Sequence, residues 1–247
     1  MGMRFTDRGD AGRLLAAALP QFDGRAGTVV LGLARGGVPV AAAVADALRL
    51  PFGALPVRKL GVPGHEETAF GALAWSPGKV VRVLNWPLVV RLLELGIPQS
   101  SLDRMEHDGR AELERRAEQY PGTRDELRDR TVILADDGLA TGASMRAAIE
   151  AVRRAGAARV VVAVPVASLD AQTALEPFAE AVFSLFIPGG FRAVGSYYRA
   201  FGQVTDDDVV RLLGARHPQD GHPQDHSDAG SQAARPAAPD GRDVTPR

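Results

Sequence analysis

The stretch Thr131-Val132-Ile133-Leu134-Ala135-Asp136-Asp137-Gly138-Leu139-Ala140-Thr141-Gly142-Ala143-Ser144 decides how the rest of the chain is read. Its first five residues are β-branched or apolar, the signature of a short buried strand. Two adjacent carboxylates follow, then a loop of small residues holding Gly138 and Gly142. From about Ser144, the residues Met145, Ala148, Ile149 and Val152 recur at helical spacing, and Gly156 stops the helix. A strand that hands a glycine-rich turn to a helix N-terminus builds an anion site. The first-turn amides have no intrahelical partner, and the helix dipole favours negative charge. Thr141 and Ser144 add hydroxyls, while Gly142 and Ala143 let an oxyanion approach the backbone. Asp136 and Asp137 would repel a bare phosphate, so they point to something attached to it, such as sugar hydroxyls or a Mg²⁺ ion. Two common phosphate motifs are excluded. Ala143 stands where a Walker loop needs Lys, and Gly138 to Gly142 does not fit G-x-G-x-x-G.

Working outward, Thr28 to Leu33 reads as a buried strand running into Ala34-Arg35-Gly36-Gly37, followed by an Ala/Val-rich helix with Pro39 in its first turn. A second strand near Ala54 to Arg58 ends at Arg58-Lys59, which completes a βαβ unit and implies parallel pairing. Residues 60–79 carry glycines, prolines and no sustained period, and are expected to form a lid loop or short hairpin. Val80 to Leu84 is a further strand, Pro87 opens a short helix, and Ser100 is expected to cap a long one bearing the pairs Glu106/Arg110 and Glu112/Arg116. Strand Arg159 to Val164, helix Leu169 to Leu175 and strand Ala181 to Phe186 repeat the parallel pattern. An irregular aromatic segment, 187–198, comes next, and Thr205 caps a last helix. Near the N-terminus, Asp7 caps a helix whose apolar side is expected at Leu14, Leu15 and Ala18. The fold class is α/β: a mostly parallel central sheet with helices on both faces and ligand at the C-terminal strand ends. Residues 1–214 form one domain. Residues 215–247, nearly devoid of apolar side chains, are expected to be a disordered tail, and its repeated His-Pro-Gln-Asp lacks anything to fix metal geometry.

Composition narrows the function further. The chain has 247 residues and a net charge of −1, so no global field recommends nucleic acid or an anionic membrane. It has no cysteine, which removes disulfides and thiolate chemistry and suits a cytoplasmic setting. No apolar run reaches the roughly 18–20 residues that span a bilayer, and Met1 to Asp10 has mixed charge rather than a signal peptide's apolar core.

The central stretch resembles the phosphoribosyl-diphosphate (PRPP) loop of type I phosphoribosyltransferases: a hydrophobic strand, two acids, then Gly-x-x-x-Thr-Gly. Leu33-Ala34-Arg35-Gly36-Gly37-Val38-Pro39 resembles the diphosphate loop of the same superfamily. Residues 4–213 as a whole resemble a bacterial family of predicted phosphoribosyltransferases, through Gly32 to Ala41, Val57 to Gly61, Asp136 to Gly142 and Ala193 to Tyr198. Asn85-Trp86-Pro87 departs from the pattern, which has acidic residues after the Asn. The resemblance implies Mg²⁺-dependent transfer of a phosphoribosyl group to an unidentified nitrogenous acceptor, with release of diphosphate, as in nucleotide metabolism. It implies that Asp136 and Asp137 bind the ribose hydroxyls, directly or through the metal's water. Gly138 and Ala140 through Ser144 would hold the 5′-phosphate, and Arg35, Gly36 and Gly37 the diphosphate. Arg58 and Lys59, one of two lysines in the chain, are expected to add charge to the diphosphate. Phe191, Tyr197 and Tyr198 are expected either to form a hood over the acceptor or to be core aromatics at the sheet edge. A homodimer is the superfamily expectation. The competing reading is a non-catalytic PRPP or nucleotide sensor, which would need the two phosphate loops but no acceptor pocket.

Overall fold

The computed structural model describes residues 4–215 except 63–64, 77 and 121–126, and gives only the backbone of 65–67. The tail and its histidine repeat lie outside the described residues, as do Pro63, Gly64 and Pro77 of the expected lid. Seven strands form one sheet: β1 (Thr28–Ala34), β2 (Phe52–Val62), β3 (His65–Ser76), β4 (Lys79–Leu84), β5 (Thr131–Ala135), β6 (Arg159–Val166) and β7 (Ala181–Phe186). Their order is β4-β3-β2-β1-β5-β6-β7. The run from β2 through β7 is parallel, while β3 and β4 add an antiparallel edge. From β1 the chain proceeds outward on one side, and from β5 on the other. The C-terminal ends of these two central strands therefore flank a topological switch point, where open α/β sheets leave a crevice.

Seven α-helices cover the sheet: α1 (Arg8–Ala17), α2 (Gly37–Ala47), α3 (Trp86–Glu94), α4 (Gln99–Gln119), α5 (Ala143–Arg154), α6 (Leu169–Leu175) and α7 (Asp206–Gly214). Leu31, Leu33, Val132 and Leu134 join Met145, Ile149 and Val152 of α5 in one buried layer. Their strand neighbours Val30, Ala34, Ile133 and Ala135 face the opposite way, onto α1, α2 and α7. Successive side chains of a strand point to opposite faces, so these central strands are apolar throughout because both faces are covered. A smaller layer joins Leu60 and Leu73 to Leu92 of α3 and Leu102 and Leu113 of α4. No helix among the described residues is long and apolar enough to cross a membrane.

Two expectations are corrected and one is narrowed. Of the lid loop or short hairpin expected for residues 60–79, the described residues take the hairpin: they run as the far end of β2, then β3, then the start of β4, with register shifts flanking Gly61. A Cβ at Gly71 would lie 2.7 Å from the Val83 carbonyl oxygen, so this glycine permits close strand approach rather than a turn. Burial on both faces of β3 (Leu73 on one, Ala72 and Ala74 on the other) erased the alternation that would have marked a strand. Secondly, α4 begins at Gln99 with Pro98 as its N-cap, so Ser100 lies inside the first turn and no capping box forms. Finally, the buried side of α1 is Ala11, Gly12, Leu15 and Ala16, and Leu14 is exposed. A Cβ at Gly12 would come within 2.6 Å of the Val40 carbonyl oxygen, so this face admits α2 only because a side chain is missing.

Candidate active site

The site forms where the turns after β1 and β5 meet. A Cβ at Gly37 would stand 2.5 Å from the Ala135 carbonyl oxygen and 2.8 Å from Asp136 Cα, and one at Gly36 would collide with Asp137 Oδ2. The two glycines therefore let the first turn lie directly on the acidic pair. Helices α2 and α5 both start on a glycine, Gly36 and Gly142, and neither has a side-chain cap. By contrast, α1, α3, α6 and α7 are capped by Asp7, Asn85, Ser168 and Thr205. An uncapped helix start leaves first-turn amides for a ligand. Gly142 holds φ +75°, a left-handed conformation that only glycine adopts cheaply.

The first half of the loop is strapped to β6. Leu139 N–H donates to the Val166 carbonyl at 2.9 Å, Ser168 N–H to the Leu139 carbonyl at 2.8 Å, and Ser168 Oγ to the Ala140 carbonyl at 2.8 Å. Thr141 to Ser144 then turn over a pocket of about 110 Å³, lined by Lys59, Asp136, Asp137, the loop itself and Val194. That volume suits a phosphate-sized group; one ammonium, amides and hydroxyls supply donors for an anion, while the two carboxylates oppose it from the same pocket.

The acids have unequal partners. Arg8 at the start of α1 places Nε and Nη2 each 2.8 Å from Asp137 Oδ2, and its Nη1 donates to the Gly202 carbonyl at 2.8 Å. Its guanidinium also lies 3.8 Å from the Phe201 ring centroid. The Tyr198 hydroxyl donates to the Asp137 carbonyl at 2.7 Å. Among the described residues, Asp136 has only the neighbouring Asp137 N–H, at 2.8 Å, on its Oδ1. Burial pushes the Asp136 carboxyl well above its ordinary range and the Asp137 charge adds to it, while Lys59 and Arg8 pull partway back. Burial also raises Asp137, against the opposing pull of Arg8. The Tyr198 hydroxyl is raised too, by burial and by the Asp137 charge, so it remains a proton donor.

The remaining expected site residues divide. Lys59 lines the phosphate pocket. Arg58, one step back along β2, points to the other face, where Gly109 of α4 leaves room for its Cδ. Arg35 follows a cis peptide and turns its guanidinium toward Asp206, 3.8 Å away, rather than into the pocket. Phe191 and Tyr197 stack on one another at 5.6 Å beside Phe186. Tyr198 is buried against Phe5 and supports Asp137 from below, which matches the core-aromatic alternative. Sequence reasoning missed Arg8 and Val194. Arg8 lies 129 residues from its partner, with no local pattern to mark it. Val194 belongs to the expected hood but was hidden beside louder aromatics. Its methyls stand over Gly138, where a Cβ would come within 2.7 Å of one of them.

The fold and site together are those of an open α/β protein with a switch-point crevice, in which an acidic pair lies between two uncapped glycine turns. The phosphoribosyl transferase domain family matches residues 9–188, and the chain belongs to it. The chain is 46% identical over 215 residues to two Mycobacterium tuberculosis proteins provisionally named phosphoribosyl transferases, Rv0571c and MT0597. The match covers 86% of this chain but 47% of theirs, so the chain spans about half the length of these relatives. The crystal structure of TT1426 from Thermus thermophilus is 46% identical, covers 85% of this chain and 98% of its own, and superposes with a TM-score of 0.68.

Proposed function

We propose that this protein transfers the phosphoribosyl group of PRPP to a nitrogenous acceptor and releases diphosphate. One observation carries the reading: the Gly36–Gly37 turn and the Asp136–Asp137 pair are in van der Waals contact at the mouth of the Thr141–Ser144 turn. A diphosphate on the first turn and a 5′-phosphate on the second would stretch the ribose across the acids.

In the reaction the bond from the anomeric carbon to the diphosphate oxygen breaks, leaving both electrons on diphosphate, and the acceptor nitrogen forms the new bond. Positive charge builds on the sugar between, and the protein contributes position and electrostatics. Residues 138 and 140–144 hold the 5′-phosphate with backbone amides and the Thr141 and Ser144 hydroxyls. Asp136 accepts from the ribose hydroxyls and disperses the developing charge. Asp137, held by Arg8, has its Oδ2 occupied and offers Oδ1. Gly36 and Gly37 present the amides at the start of α2 to the diphosphate, Lys59 lies across the cleft, and Arg35 would reach the diphosphate by leaving Asp206.

No cluster of three metal-ligating side chains occurs among the described residues. Two adjacent carboxylates are nevertheless the donor set that suits Mg²⁺ when substrate phosphates supply the remaining oxygens. Asp136 and the free oxygen of Asp137 would hold it, directly or through water, and when bound it neutralises the leaving diphosphate. The lid expected from residues 60–79 would cover the reacting centre, and the 187–198 segment would border the acceptor. A cysteine-free homodimer in the cytoplasm completes the reading.

The test is diphosphate release from PRPP and Mg²⁺ across a panel of purine, pyrimidine and smaller nitrogen heterocycles. Release that depends on one acceptor, with the matching nucleotide formed, is expected. Bound PRPP with no acceptor-dependent release across the panel would favour the sensor reading instead.

A further inference from the structure

A second, larger cavity opens on the other side of the phosphate turn. It measures about 560 Å³, within the range of small-molecule sites. The ends of β3 and β4, the start of α3, and α5 and α6 enclose it, and Thr141, Gly142 and Ala143 line both it and the phosphate pocket. Val83, Leu84, Leu88 and Leu175 give it apolar walls. Among the described residues its polar lining contains the guanidinium of Arg146, the amide of Asn85 and two threonine hydroxyls, and no carboxylate.

Arg146 is the unusual member. Its guanidinium carbon lies over the Phe178 ring, 2.9 Å from the centroid, and the side chain lines the cavity. No carboxylate among the described residues lies within ion-pair distance of it, and Glu150, one turn along α5, is bound to Arg154 at 2.8 Å. Burial lowers the affinity of Arg146 for its proton and the Arg153 charge adds to this, while Glu150 pulls partway back. Asn85 spends its Oδ1 on the Leu88 N–H at 3.3 Å, so its NH₂ remains a donor. Donors and a half-buried positive charge inside apolar walls select an anion with an apolar body.

We infer that this cavity is a second ligand site, taking a small organic anion whose acid group is held by Arg146 and Asn85 and whose flat apolar body lies between the β3–β4 ends and α6. Because the site shares a wall with the phosphate pocket, occupancy here is coupled to the loop that holds the 5′-phosphate. The inference does not rest on the phosphoribosyl reading, since cavity and arginine are present whatever the loop binds.

The experiment titrates 1-naphthoate into the full chain, followed by calorimetry and by backbone amide shifts of residues 141–146, with neutral 1-naphthamide as control. Saturable binding is expected, weakened about tenfold in Arg146→Gln and in the switch to the amide, the scale of one charge-assisted hydrogen bond. Arg146→Lys should retain part of the affinity. Ala174→Phe, which fills the cavity and keeps Arg146, should abolish binding. No saturable binding of naphthoate, equal binding of the amide, or unchanged binding in both Arg146→Gln and Ala174→Phe would overturn the inference. Stoichiometric displacement by inorganic phosphate would place the anion in the phosphate loop and would also overturn it. PRPP binding measured on the same samples separates this failure from a failure of the transferase reading.

Discussion

Two carboxylate sites in this molecule are built on opposite plans. Asp206, at the start of α7, is surrounded by donors. Arg115 reaches it at 2.8 Å, Arg116 and Arg35 stand at 3.7 and 3.8 Å, and the Tyr120 hydroxyl donates to it. Burial pushes its pKa up, but the Tyr120 and Arg115 hydrogen bonds and the nearby guanidiniums more than reverse this, and it ends below the ordinary range. Asp136 and Asp137 sit side by side with one arginine, Arg8, bound to Asp137, and both end above the ordinary range. A satisfied carboxylate holds structure together. An undersatisfied pair costs stability and persists where something else will supply the missing positive charge, which is how perturbed groups mark working sites.

The largest test of that contrast is the double variant Asp136→Asn with Asp137→Asn. PRPP binding should vanish in calorimetry. The fold should persist, with relief of the buried Asp136 charge set against the broken Arg8–Asp137 pair. A carboxylate with a raised folded pKa keeps its full contribution below its unfolded pKa and loses it as pH rises through the folded value. The asparagines remove that loss, so the Tm difference from wild type should shift in the variant's favour from acid to neutral pH. Retained PRPP binding would mean that the acids are not the sugar site.

Arg8→Gln should come next. It strips Asp137 of its guanidinium and should lower stability by about 3 kcal/mol, the scale of a broken buried ion pair, because the pair is only 12% and 15% exposed. PRPP affinity should fall with it, and Arg8→Lys should restore part of both. If Arg8→Gln binds PRPP as wild type does, Arg8 is merely a clamp between α1 and the sheet.

Asp206→Ala sharpens the other side. It removes the carboxylate that accepts the Tyr120 hydroxyl and binds Arg115, and should cost about 1–3 kcal/mol in denaturant unfolding, with PRPP binding retained. The pH sign is opposite here. A depressed pKa stabilises above the unfolded value and is lost as pH falls through the folded one, so wild type should lose more stability on acidification than Asp206→Asn. A loss of PRPP binding as complete as in the double variant would erase the distinction between the two sites. The smallest effect belongs to Ser168→Ala, which removes the α6 cap and one strap on Ala140. It should cost about 1 kcal/mol and weaken PRPP binding modestly, both readable by thermal shift and calorimetry.

The contrast also explains what could be read in advance. The strand, acids, glycines and helix of 131–156 were legible because each obeys a local rule, and so were the parallel units around them. The helix caps at Asp7 and Thr205 were legible for the same reason. Strand β3 was not, because a segment buried on both faces and interrupted by glycine carries no period. At the site, the loops proposed to hold phosphate were legible and the side chains that support them were not. Arg8, Tyr198 and Val194 act on residues far away in sequence, and the orientations of Arg35 and Arg58 are fixed by Asp206 and by α4. Local chemistry reaches the backbone of a site, while tertiary contacts decide which side chains face it.

The central claim, that the two glycine turns and the acids between them form one PRPP site, is tested most directly by calorimetric titration of PRPP into the wild-type chain with and without Mg²⁺. Saturable binding at one site per chain, strengthened by Mg²⁺, is the predicted result. No heat of binding under either condition would contradict it.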